Sequence, residues 1–278
     1  MPTLDELVEM IKSLQIQGAN EIALSGLYYL KKLAKEKGFG KDFNAAMNAL
    51  ENTRPTAVVL HNCLELLSKE KNMETINNLI NQIKSSSEKI AKNFVKNVKD
   101  GYTILTHCHS GVAVAALKAA ARDHNYKIKV YATETEPKLQ GVKTARELAE
   151  AGVDVTLIPD SAVGFFMQDI DMVVLGSDAM RQEGNINKIG SYTIALVAAA
   201  HKVPYFVLGS TLKLDRRKNF TIEERPPSEV YSELSALRGA SVRNPAFDLT
   251  PWKYITRVVT EYGTMTPGNI LKLLKEKP

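Results

Sequence analysis

The chain has 278 residues, 44% hydrophobic, 24% charged and 7% aromatic, enough to bury a substantial core in one large or two moderate globular domains. Its net charge of +5 and pI near 9.0 come from dispersed basic residues, which suit small anionic ligands and lack the basic stripe that nucleic acid requires. Two cysteines, Cys63 and Cys108, give no disulfide framework and no cysteine-spaced metal site. The first nine residues lack a signal-peptide pattern and no apolar run is long enough to span a bilayer, so a soluble cytoplasmic protein without membrane or nucleic-acid partners is expected.

The first third reads as helix. Leu4, Leu7, Val8, Ile11 and Leu14 recur at helical spacing behind a Thr3–Glu6 capping box. Further helices are expected over 22–37, 43–53, 57–69 and 73–98, and Asp100-Gly101 then supplies a turn. From Tyr102 the pattern changes. Short β-rich runs at 102–106, 128–133, 154–158, 172–176 and 205–209 alternate with helical runs near 112–122, 142–151, 162–167 and 192–201. Such alternation predicts an α/β fold with a parallel, doubly wound sheet covered by helices on both faces. A helical unit over 1–99 and a sheet-containing unit over 100–278 are the expected domains.

Ligands of open α/β sheets bind beyond the carboxyl ends of the strands. The first strand delivers Cys108 and Ser110 within Thr106-His107-Cys108-His109-Ser110, and the second delivers Glu134, Lys138 and Gln140-Gly141. The third delivers Asp160 and Ser161, the fourth Gly176-Ser177-Asp178, and the fifth Ser210, Thr211 and Lys213. A loop after the fourth strand is expected to hold Gly184, Asn187, Lys188 and Gly190. Such Ser-, Gly-, Asn- and Lys-bearing loops at helix N-termini suit phosphate. Neither a G-x-G-x-x-G after the first strand nor a P-loop occurs, which argues against nucleotide cofactors. His107 and His109 lack third and fourth partners for a metal, and if protonated they would stabilise a Cys108 thiolate. A thiol paired with a carboxyl group suits proton shuttling between carbon and oxygen, as in an aldose–ketose isomerase. Val174, Leu175, Ala179 and Met180 would give Asp178 the apolar surround that an acid needs.

These residues resemble the translation initiation factor 2B alpha/beta/delta family and its sugar-phosphate isomerase members. The likeness runs through Thr106–Ser110, Thr133-Glu-Thr-Glu-Pro-Lys138 with Gln140-Gly141, Gly176-Ser-Asp178, Asn187-Lys-Ile-Gly190 and Asn244-Pro-Ala-Phe-Asp248 with Thr250-Pro251. It implies an N-terminal helical domain followed by a Rossmann-like domain with a mainly parallel sheet, assembled as a homo-oligomer (dimer or hexamer). Among family members the likeness is greatest to archaeal ribose-1,5-bisphosphate isomerases, which act in AMP degradation without a cofactor or metal. That resemblance implies Cys108 as proton acceptor and Asp178 as proton donor. It implies Arg54, Ser110, Gly111, Asn187, Lys188 and Lys213 as substrate-binding residues, under a loop formed by Gln17, Gly18, Ala19 and Asn20. Two positions depart from the pattern: Gln17 stands where the isomerases usually carry Arg, and Gly111 where the ribose-bisphosphate enzymes tend to carry Lys. The second phosphate of the substrate therefore stays open, with a methylthioribose 1-phosphate as the alternative. A non-catalytic, initiation-factor-like protein that binds initiation factor 2 is the reading from another class. Regulatory relatives commonly lack the thiol or the carboxylate, and this chain keeps both.

Overall fold

A computed structural model describes residues 2–276 apart from Leu14, Gln17, Pro55 and 234–238. Five helices come first: α1 (Leu4–Lys12), α2 (Ala19–Lys37), α3 (Lys41–Glu51), α4 (Val58–Lys69) and α5 (Met73–Val95). The Thr3–Glu6 capping box closes the start of α1 as expected, and Asn72 caps α5 through the Thr75 amide. Leu7, Leu27, Phe43, Leu60 and Ile76 bring all five helices into one apolar cluster. The helix α5 is shared. Its first half (Ile76, Leu79, Ile80, Ile83) packs in that cluster, while Ile90, Phe94 and Val95 pack against the sheet layer behind α6 (Gly111–Arg122).

The central sheet contains β1 (Thr103–Thr106), β2 (Lys129–Thr133), β3 (Asp154–Ile158), β4 (Met172–Leu175), β7 (Tyr205–Leu208), β9 (Arg257–Thr260) and β10 (Gly263–Met265). Its order is β10-β9-β7-β4-β1-β2-β3, parallel throughout except for the β9–β10 hairpin. Helices α5, α6 and α7 (Gln140–Glu150) cover one face; α8 (Val163–Phe166), α9 (Ser191–Ala200) and α10 (Pro267–Lys275) cover the other. The order reverses between β1 and β4, because β1 leads through α6 to β2 on one side while β4 leads toward β7 on the other. The crevice beyond the ends of β1 and β4 is thus the topological switch point, where such sheets bind ligands.

The clearest difference from expectation lies after β4. The segment carrying Asn187 and Lys188 is not a loop but the central strand, β6 (Gly184–Lys188), of a second, antiparallel sheet with β5 (Ala179–Met180) and β8 (Phe247–Pro251). Lys188 pairs in register with Phe247, Asn187 with Asp248 and Asn185 with Thr250. Pairing across some sixty residues of chain supplies the hydrogen bonds that the polar run Gly-Asn-Ile-Asn-Lys does not announce. Two positions are closed to any side chain but hydrogen. A Cβ on Gly184 would collide with the Thr250 carbonyl, and one on Gly141 with the Thr133 carbonyl. No helix among the described residues is long and apolar enough to cross a membrane.

Candidate active site

Beyond the ends of β1 and β4 lies a cavity of ≈ 640 Å³, a volume that suits a small metabolite. Its floor brings together Cys108, Ser110 and Gly111 from the β1–α6 connection, Asp178 from the exit of β4, Asn187 and Lys188 from β6, and Lys213 from the turn after β7. Its roof is Gly18, Ala19 and Asn20 at the start of α2, with Arg54 from the α3–α4 connection. Gln17 lies outside the described residues. Other strand-end residues are engaged elsewhere: Lys138 pairs with Glu229 at 3.1 Å, and the Thr211 hydroxyl donates to Glu261 at 2.6 Å.

The Cys108 backbone is left-handed (φ 66°), a conformation that an L residue holds only when its surroundings fix it. Its amide donates to Thr135 Oγ1 and its carbonyl accepts from Thr144 Oγ1, both at 2.8 Å. Thr135 is itself left-handed (φ 63°), and its amide and that of Glu136 donate to the two oxygens of Asp160 at 2.9 and 2.7 Å. The Thr-Glu-Thr-Glu run is therefore a cradle, with alternate threonines holding the thiol-bearing turn.

The two histidines brace this turn and carry no charge to it. His107 Nε2–H donates to the Ile189 carbonyl at 2.8 Å, which leaves Nδ1 to accept the Thr133 hydroxyl at 2.6 Å. The Thr144 hydroxyl spends its proton on Cys108, so it accepts from His109 Nδ1–H at 3.0 Å. Burial pushes both imidazoles below the usual histidine range. The condition under which the histidines would stabilise a thiolate, their protonation, is opposed here by desolvation, which favours the neutral imidazoles.

Burial also pushes the Cys108 thiol up to about 11, with Lys188, then the His109 backbone and then Arg225 pulling it down and Asp178 adding to the rise. The resting group at neutral pH is therefore a thiol. Lys188 and Lys213 are themselves buried, which pulls both below the ordinary lysine range. Lys213 Nζ donates to the Ser177 carbonyl, so a cation sits against the peptide next to Asp178. Gly176 is required here because a Cβ would stand 2.6 Å from Ser110 Oγ, the oxygen that caps α6 through the Ala113 amide. Asn187 Nδ2 donates to Ser191 Oγ at 3.1 Å, tying β6 to the start of α9.

A cavity cation and the carboxylate that braces it escaped sequence reasoning. Arg225 lines the cavity, and Glu223 accepts from Arg225 Nε at 3.1 Å and from Arg54 Nη2 at 2.8 Å. Burial raises Glu223, but Arg54, Arg225 and Lys188 outweigh it and hold the carboxyl below its ordinary range. No motif points to this pair, because a polar stretch with few periodic residues gives only a loop signal. The site as a whole offers a thiol and a carboxyl group facing one cation-lined cavity, and the start of α2, which has no side-chain cap among the described residues, stands above it.

Comparison with known proteins agrees in extent with this architecture. The sequence model of the initiation factor 2 subunit family matches residues 15–267. A ribose 1,5-bisphosphate isomerase of Archaeoglobus fulgidus is 39% identical, covering 98% of this chain and 92% of its own. One from Methanocaldococcus jannaschii is also 39% identical, covering 96% and 92%. Among solved structures, the translation initiation factor eIF-2B of Pyrococcus horikoshii superposes with a TM-score of 0.85 at 23% identity, over 98% of this chain and all (100%) of that one. The chain belongs to the initiation factor 2 subunit family.

Proposed function

We propose that this protein is a sugar-phosphate aldose–ketose isomerase that converts ribose 1,5-bisphosphate to ribulose 1,5-bisphosphate. The observation that carries the reading is the joint presence of Cys108 and Asp178 in one cavity lined by Arg54, Lys188, Lys213 and Arg225. Relatives named for this reaction, at 39% identity over nearly the whole chain, support it.

The substrate's anomeric oxygen is esterified, so its furanose ring cannot open spontaneously. In the proposed step, Cys108 as thiolate takes the proton from C2 while Asp178 as carboxylic acid protonates the ring oxygen. The C1–O bond breaks and a C1=C2 enol phosphate forms. The Cys108 thiol then returns its proton to C1, Asp178 recovers one from the C2 hydroxyl, and the C2 carbonyl of the ketose results. Lys188 lies close enough to Cys108 to favour the thiolate. Amides at the starts of α2 and α6 face the same cavity and suit phosphate oxygens.

Incubation with ribose 1,5-bisphosphate, in parallel with 5-methylthioribose 1-phosphate, tests the reading through the ketose formed. Turnover of the bisphosphate with the larger kcat/KM is expected. Preference for the methylthio compound would reassign the substrate, and turnover of neither would leave a binding role in place of catalysis.

A further inference from the structure

Arg225 is a cavity group that no sequence motif singled out, and its surroundings are unusual for a charge. Only 7% of its surface is exposed, and its Nε is fixed on Glu223 Oε1. Its two terminal nitrogens have no hydrogen-bond partner among the described residues. Glu223 cannot neutralise it alone, because its other oxygen holds the Nε and Nη2 of Arg54 at 3.1 and 2.8 Å. One carboxylate thus braces two guanidiniums, and the Arg225 fork is left to a partner from outside the described residues. A buried charge without a full partner is costly unless a ligand completes it. A guanidinium anchored by Nε with its fork free has the form that receives a phosphate in bidentate fashion.

The location narrows the choice. The segment of Arg225 pairs with the run that enters β8, whose Phe247 stands in register with Lys188, and both cations line the cavity with Cys108, so Arg225 serves the end where the reacting carbons lie. On the isomerase reading, on which this inference rests, those carbons are C1 and C2. The C5 phosphate projects from the other side of the ring.

We infer that Arg225 is the clamp for the phosphate on C1 of the sugar, and that Glu223 is the positioning residue that aims it. Arg225 thereby fixes C1 and C2 against Cys108, and the chain holds a cation for this phosphate that the departures at Gln17 and Gly111 do not remove.

The test is calorimetric titration of the whole protein with ribose 1-phosphate, ribose 5-phosphate and orthophosphate, using the wild type, Arg225→Ala and Arg225→Lys. Loss of a charge-assisted bidentate contact is expected to weaken ribose 1-phosphate by about ten- to a hundredfold in Arg225→Ala. Arg225→Lys keeps the charge without the fork, so it should fall between. Ribose 5-phosphate should bind all three alike, which also reports that the variants are folded. Equal loss for both sugar phosphates, or no loss for either, overturns the inference even if the wild type isomerises the bisphosphate. If the wild type turns over no sugar phosphate, orthophosphate separates the two claims. Binding that Arg225→Ala abolishes keeps the anion clamp while the isomerase reading fails; binding indifferent to Arg225, or absent, overturns the clamp as well.

Discussion

The turn after β1 and the small antiparallel sheet meet at one cavity but are built on opposite principles. The turn holds Cys108 with neutral groups: threonine hydroxyls, backbone amides and two uncharged histidines. The small sheet and the chain that returns beside it supply charge, as Lys188 on β6 and as Arg225 braced by Glu223. Position and charge are therefore delivered by separate parts of the chain. The turn that carries the thiol is set by short, directional hydrogen bonds to its backbone. Cations on another layer act against the burial that raises the thiol.

Four changes break or sharpen this division. The largest effect is expected from Asp178→Asn, which keeps the shape but removes the proposed proton donor. We expect kcat to fall by about 10²- to 10⁴-fold, with the affinity for ribulose 1,5-bisphosphate preserved. Gly176→Ala strikes the positioning side. Its methyl would meet Ser110 Oγ at 2.6 Å and push the cap of α6 aside. A stability loss of about 1–3 kcal/mol is expected, read by thermal or denaturant unfolding. An unchanged midpoint would show that the two strand exits are not in rigid contact.

The third change is of pH. With Cys108 protonated up to about 11, its alkylation by iodoacetamide should rise about tenfold per pH unit from pH 7 to beyond pH 9, followed by peptide mass spectrometry. The sign follows from the thiolate being the reactive form, which gains population as pH rises. Lys188→Met removes the cation that favours the thiolate, so labelling at any given pH should slow further. A plateau below pH 9 would contradict the desolvated thiol. The smallest effect is a gain. A Cβ on Gly111 meets nothing within 4 Å, so Gly111→Lys adds a cation to the neutral turn without collision. The KM for a bisphosphate should fall by about two- to fivefold, the scale of a solvent-exposed charge pair.

The same division explains what the sequence made legible. Cys108, Ser110, Asp178 and Lys213 follow strands whose Val-, Ile- and Leu-rich runs stand out locally, so the ends of β1, β4 and β7 could be placed before any tertiary contact was known. Asn187 and Lys188 were legible as residues of the cavity but not as members of a strand. Only pairing with β8 makes Gly184–Lys188 extended. Arg225 and Glu223 were illegible because their segment reaches the cavity through long-range pairing: the Arg225 amide donates to the Asn244 carbonyl, and the Ala246 amide to the Glu223 carbonyl. The neutrality of His107 and His109 likewise comes from burial, which depends on what packs around them.

The account turns on Cys108 as the base. The most direct measurement is ribulose 1,5-bisphosphate formation from ribose 1,5-bisphosphate by the wild type and by Cys108→Ser, with product affinity determined for both. We predict turnover by the wild type, its loss in Cys108→Ser, and equal product binding by the two. Turnover by Cys108→Ser at the wild-type rate, or none by either protein, would contradict it.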